Sequence, residues 1–107
     1  MPEFGLPDTT LATIRRILAG HPDIEKAILY GSRAKGNYRP GSDIDLALFG
    51  AQLERPTLAK LSAQLDESPI PYQVDLTRWD DIENESLREH IMRAGVVFYE
   101  LQPAERG

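Results

Sequence analysis

The 107-residue chain predicts an α/β (α+β) domain, a small mixed sheet of about four strands flanked by helices. Two observations carry that prediction. Apolar runs of strand length alternate with segments of helical periodicity, and glycine or proline stands at the joins between them. No repeat, linker or low-complexity stretch interrupts the series, so residues 1–107 read as one domain. A chain of this length buries roughly two thirds of its unfolded surface in a single core.

The elements follow in order. Pro7-Asp8-Thr9-Thr10 is a helix-start signal with Asp8 or Thr9 as N-cap, and Leu11, Ile14, Ile17 and Leu18 follow at helical spacing. Gly20 and Pro22 end that helix. Residues 26–30 form a short apolar run that stops at Gly31, which predicts a buried strand, and Ser32 to Lys35 fit one helical turn closed by Gly36. Asp43 to Phe49 alternates, with Ile44, Leu46 and Leu48 on one side and Asp43, Asp45 and Ala47 on the other. Pro56 opens a helix carrying Leu58, Leu61 and Leu65. Ser68-Pro69-Ile70-Pro71 is a rigid connector to a third strand, Tyr72 to Thr77, with Val74 and Leu76 inward and Asp75 opposite.

Asp80 and Glu83 have the spacing of a capping box, predicting a helix that carries Ile82, Leu87 and Ile91 and ends at Gly95. Val96 to Leu101 is the last strand, and residues 102–107 read as a frayed tail. About a dozen residues without a full helix join the first two strands, which predicts antiparallel pairing between them.

Composition narrows the function. Apolar residues are 41% and charged residues 27%, ordinary for a globular protein. No run of 18 apolar residues is present, so no membrane helix is expected. The opening MPEFGLPDTT lacks the basic-then-apolar pattern of a signal peptide. The absence of cysteine excludes disulfides and thiolate metal sites and fits a cytoplasmic location. A net charge of −5 speaks against a general nucleic-acid binder, which gains affinity from Lys and Arg. Charge is unevenly placed, however. From Gly31 to Ser42 the chain carries Arg33, Lys35 and Arg39 and no acid, a small basic loop suited to a compact polyanion such as a triphosphate.

The chemistry concentrates in GSRAKGNYRPGSDID, residues 31–45. Asp43 and Asp45 stand two apart in a strand, on one face, roughly 6.5 Å apart at the backbone. Two ionised carboxylates at that distance repel by about 2.5 kcal/mol at an effective dielectric near 20. A divalent cation turns that cost into attraction, and Mg²⁺ takes one or two carboxylates together with phosphate oxygens. Asp75 is the third candidate, converging with the pair if the third strand lies beside the second in register. Three such acids suit two metal ions, one activating an attacking hydroxyl and one steadying a leaving pyrophosphate. Gly31 lets the backbone approach an oxyanion, and Ser32 adds a hydroxyl donor. Arg33 and Lys35 add positive charge, and Ser42 either contacts phosphate or caps the turn before the strand.

The run GSRAKGNYRPGSDIDL resembles the signature of the polymerase-β-like nucleotidyltransferase superfamily: Gly-Ser, ten residues, Asp-x-Asp. It is most similar to the minimal nucleotidyltransferase branch, and Val74-Asp75-Leu76 resembles the family's third-acid motif. The resemblance implies Mg²⁺ held by Asp43, Asp45 and Asp75, with Ser32 and Arg33 on the triphosphate of ATP. Lys35 stands where many relatives carry Arg. Relatives of this branch are often antitoxins paired with a HEPN-type ribonuclease toxin, to which they transfer AMP on a tyrosine. The expected protein is thus an Mg²⁺-dependent nucleotidyltransferase moving AMP to a hydroxyl of a partner protein. Its rivals are an antitoxin acting by occlusion alone and transfer to a small molecule such as an aminoglycoside. Outside the motif, plain roles are expected. His21 and His90 read as loop and helix-surface residues, Trp79 as core or interface, Tyr38 as a loop tyrosine, and Asp80 and Asp81 as helix-start acids.

Overall fold

Strands of five or six residues leave their backbone N–H and C=O groups unpaired until they meet a neighbour, and four such segments here pair into one sheet. The computed structural model describes residues 3–101. Strands β1 (Lys26–Tyr30), β2 (Ile44–Phe49), β3 (Val74–Arg78) and β4 (Val96–Glu100) lie in the order β3-β2-β1-β4. β1 runs antiparallel to both β2 and β4, whereas β2 and β3 are parallel. The mixed sheet and the antiparallel first pair are as the sequence predicts. Only the single turn α2 (Ser32–Lys35) lies between β1 and β2, too little for a parallel crossover. Helix α3 (Arg55–Glu67) supplies the crossover that the parallel β2–β3 pair requires.

Side-chain alternation assigns the two faces. Leu46 and Leu48 of β2, Leu29 of β1 and Val74 of β3 enter one buried cluster with α1 (Asp8–Ala19), through Leu11, Ile14 and Leu18, and with α3, through Leu61 and Leu65. Ile28 and Ala47 point the other way and pack with Ile82 and with Ile91 of α4 (Glu85–Ala94). Asp45 and Asp75 fall on this second face, each flanked in its strand by residues committed to the first.

Several element ends differ from the sequence expectation. Helix α1 begins at Asp8 after Pro7, and no side-chain cap is made. Helix α3 starts at Arg55, one residue ahead of Pro56, and β3 starts at Val74 rather than Tyr72. The capping box at Asp80 and Glu83 does not form. Asn84 caps α4 instead, its Oδ1 accepting the Leu87 N–H at 3.1 Å. Asp81 is held outside the helix by two guanidinium groups, Arg78 at 2.8 Å and Arg55 at 2.9 Å, within the 3-10 turn Trp79–Asp81. Ile82 is consequently buried ahead of α4 rather than on it. The expectation for residues 102–107 lies outside the described residues. Among the described residues no helix is long and apolar enough to cross a membrane.

Gly95 joins α4 directly to β4 with φ −74°, an ordinary backbone, so what the position requires is space. A Cβ there would run into the Ile91 carbonyl oxygen and stand 2.5 Å from Ile28 Cγ2. Gly95→Ala is therefore expected to cost about 1–3 kcal/mol of stability as overpacking, read as a lowered urea midpoint with an unchanged m-value.

Candidate active site

The β2–β3 register pairs Asp45 with Asp75 directly across the parallel ladder, two strands about 4.8 Å apart. Asp43 stands one residue before β2, at the same end of the sheet. Asp43 and Asp75 are exposed and Asp45 is half-buried. Burial, and after it the charges of Asp75 and Asp43, push the Asp45 carboxyl above its ordinary value. Both other predicted acids thus act on Asp45. Among the described residues no Lys or Arg forms an ion pair with any of them.

Gly31 closes β1 against this cluster. Its φ of +81° is a left-handed conformation natural to glycine, and a Cβ there would sit 2.6 Å from Asp45 Oδ2. The backbone of the Gly-Ser turn therefore lies against the carboxylate, and Ser32 begins α2 at that point. Lys35 at the end of α2 and Arg39 in the loop that follows are both exposed. Ser42 closes a tight turn, its N–H donating to the Arg39 carbonyl at 2.9 Å and its Oγ accepting the Arg39 N–H at 2.8 Å. Arg33, expected to add positive charge for the triphosphate, has main-chain partners of its own. It is only 2% exposed and donates to the main-chain carbonyls of Ser42 and Phe4, at 3.0 and 2.9 Å.

Two residues of the site escape a reading of the sequence by motif. Tyr30 pairs with Asp45 across the antiparallel ladder, and Thr77 lies two residues beyond Asp75 on the same face. Burial in the first place, with Asp45 and Asp75 adding to it against the influence of Thr77, pushes the Tyr30 hydroxyl upward, so it remains a neutral O–H beside the acids. The signal was available in the position of Tyr30 immediately before Gly31, once β1 and β2 are paired. Three of the other residues singled out in the sequence have structural partners. Asp81 is held well below the carboxylate range by hydrogen bonds from Arg78 and Arg55. Trp79 stacks on Phe49 at 4.7 Å and has the Arg88 guanidinium 4.7 Å from its ring centre, and His21 pairs with Gln64 at 2.6 Å.

The donor set fits a hard divalent cation that brings its own further ligands. Among the described residues no three His, Cys, Asp or Glu side chains converge on one ion-sized point, so there is no ready-made protein cage. Mg²⁺ needs none, because it draws most of its octahedral shell from water and phosphate oxygens. What the residues offer is an excess of negative charge with no cationic partner, the condition that such an ion relieves.

The same imbalance predicts a pH signature. Because the folded state raises the Asp45 pKa, the metal-free protein loses stability as pH rises from the ordinary 3.8 through the raised value. Asp45→Asn is expected to melt higher than wild type at neutral pH in a chelator, by less than about 1 kcal/mol. The gap should close toward pH 4, as thermal melts across that range would show. Gly31→Ala is expected to cost about 1–2 kcal/mol through its left-handed backbone and to displace the Asp45 carboxylate, read from the thermal melt.

Comparison with known proteins agrees with this geometry. A family model described as "Polymerase beta, Nucleotidyltransferase" matches residues 12–104. The chain is 36% identical over 99 residues to a probable protein adenylyltransferase MntA of Haemophilus influenzae, covering 92% of this chain and 86% of that one. Its fold is similar to a chain in a crystal structure of a toxin-antitoxin with AMP-PNP, at TM-score 0.67 and 23% identity over 91% of this chain and 76% of that one. It is also similar to a chain in a structure of the tri-AMPylated Shewanella oneidensis HEPN toxin in complex with MNT antitoxin. That TM-score is 0.64 at 21% identity, over 86% and 71% of the two chains. The paired acids, the Gly-Ser turn beside them and the family match over nearly the whole length together show that the chain belongs to the polymerase-β nucleotidyltransferase family.

Proposed function

We propose that this protein is an Mg²⁺-dependent adenylyltransferase that moves AMP from ATP to a hydroxyl of a partner protein, a tyrosine of a HEPN-type toxin, and so serves as an antitoxin. The observation that carries the reading is the Asp45–Asp75 register, with Asp43 at the strand entrance and the Gly31-Ser32 turn against Asp45. Similarity to a probable protein adenylyltransferase supports a protein acceptor, and the toxin-antitoxin neighbours support the kind of partner.

In this reading Gly31 and Ser32 hold the triphosphate, with Ser42 closing the turn at its side. Asp43, Asp45 and Asp75 would hold two Mg²⁺ ions, which would withdraw charge from the phosphates and ease ionisation of the acceptor hydroxyl. Asp75, exposed at the start of β3, takes the proton from that hydroxyl. The acceptor oxygen then bonds to the α-phosphorus while the bond from that phosphorus to the α,β-bridging oxygen breaks, releasing pyrophosphate. Tyr30 stays protonated beside Asp45 and can donate a hydrogen bond into the site. The chain supplies one wall of this centre, and the partner brings the acceptor to the exposed side.

Intact-protein mass spectrometry of the co-purified partner, after ATP and Mg²⁺ are added, tests the reading. Wild type is expected to add one or more AMP units. Asp43→Asn and Asp45→Asn are expected to add none while keeping a native circular dichroism spectrum. A partner that binds tightly but gains no mass with any form would favour the occluding antitoxin.

A further inference from the structure

A guanidinium buried to 2% exposure is expensive unless its donors and its charge are answered, so its partners reveal what it is there to hold. Arg33 answers both. Its Nε donates to the Ser42 carbonyl at 3.0 Å and its Nη1 to the Phe4 carbonyl at 2.9 Å. Its charged carbon lies 5.0 Å from the centre of the Tyr38 ring and 5.1 Å from that of Tyr72. These four partners come from the N-terminal turn, the basic loop and the segment entering β3.

The Ser42 carbonyl belongs to the peptide bond that leads into Asp43. On the other side of that aspartate, the Ile44 N–H donates to the Gln73 carbonyl at 2.9 Å. Asp43 is therefore pinned on both sides, by Arg33 before it and by the β3 approach after it. Tyr72 precedes β3 and hence Asp75, so one side chain touches the approaches to both strands that carry acids. The far anchor is strained to fit. Phe4 adopts φ +55°, the one positive value at a non-glycine residue among those described, in the turn that supplies its carbonyl to Arg33. Gly5 follows at φ +72° with the Tyr38 ring packed where its Cβ would be.

We propose that Arg33 is a positioning residue. It ties the loop 38–43, and with it the first carboxylate of the site, to the Glu3–Gly5 turn rather than contacting the nucleotide. The proposal rests on the nucleotidyl-transfer reading above for its functional consequence, but the tie itself can be tested without turnover. A planar fork can reach two carbonyls at once where a lysine ammonium acts as a point charge, so the two residues are not interchangeable here.

The test compares wild type with Arg33→Lys, Arg33→Gln and a form lacking residues 1–5. Backbone hydrogen exchange is measured first, on metal-free protein. Exchange across residues 36–43 is expected to quicken about tenfold in all three, the effect of losing roughly one charge-assisted hydrogen bond, with α3 and α4 unchanged. Next, the Mg²⁺ concentration for half-maximal transfer at saturating ATP is expected to rise about tenfold in all three. Lysine is expected not to rescue either readout. Unchanged exchange in every variant would overturn the tie, as would full recovery with lysine, which marks a direct phosphate ligand. Faster exchange with an unchanged Mg²⁺ requirement would overturn the positioning role. If Arg33→Gln unfolds, the terminal deletion still decides, because it removes the Phe4 carbonyl and leaves the guanidinium in place. A wild type without transfer activity would defeat the nucleotidyl-transfer reading alone, and the exchange measurement would still judge the tie.

Discussion

The parallel pairing of β2 with β3 fixes where each acid of the candidate site stands, because a one-residue slip would turn Asp75 away from Asp45 and bury it among leucines. The register is enforced from the opposite face. Ile44, Leu46 and Leu48 of β2 and Val74 of β3 are committed to the cluster beneath α1 and α3, so Asp45 and Asp75 have no choice of side. Helix α3 makes the parallel arrangement attainable, and its Leu61 and Leu65 join the same cluster. The hydrophobic core therefore does more than stabilise the fold. It supplies the force that holds like charges together.

Two carboxylates on this protein show how far environment alone can separate chemically identical groups. Asp81 receives two guanidinium groups and is driven down, remaining charged and structurally occupied. Asp45 receives burial and two further acids and is driven up. Only the second leaves an uncompensated demand for positive charge. That contrast separates the site from the ion-pair cluster near Trp79 more sharply than residue type can, since both contain neighbouring aspartates in short stretches of chain.

Arginines likewise divide by what they hold. Arg55 and Arg78 neutralise Asp81, and Arg88 covers Trp79 while donating to main-chain carbonyls. Arg33 joins three segments distant in sequence and leaves the exposed positive charge of the loop to Lys35 and Arg39. A basic loop can therefore be basic for two reasons, one side chain holding the loop in shape while others face the solvent.

Much of this was legible in the sequence. The order of elements, the alternation in β2 and β3, the helix stop at Gly95 and the spacing from Gly31-Ser32 to Asp43 and Asp45 are local patterns, set by backbone sterics and side-chain periodicity within a few residues. The start of α4 was misplaced because Asp80-x-x-Glu83 and Asn84 compete as caps. The contest was decided by Arg55, distant in sequence, together with Arg78. The role of Arg33 and the place of Tyr30 were equally hidden, since each depends on partners brought from other strands and loops. By itself, the sequence determined which residues are candidates for the chemistry and which face of its strand each one takes. Only the tertiary structure decided which charges meet, because charge pairing, burial and register are properties of neighbours in space rather than along the chain.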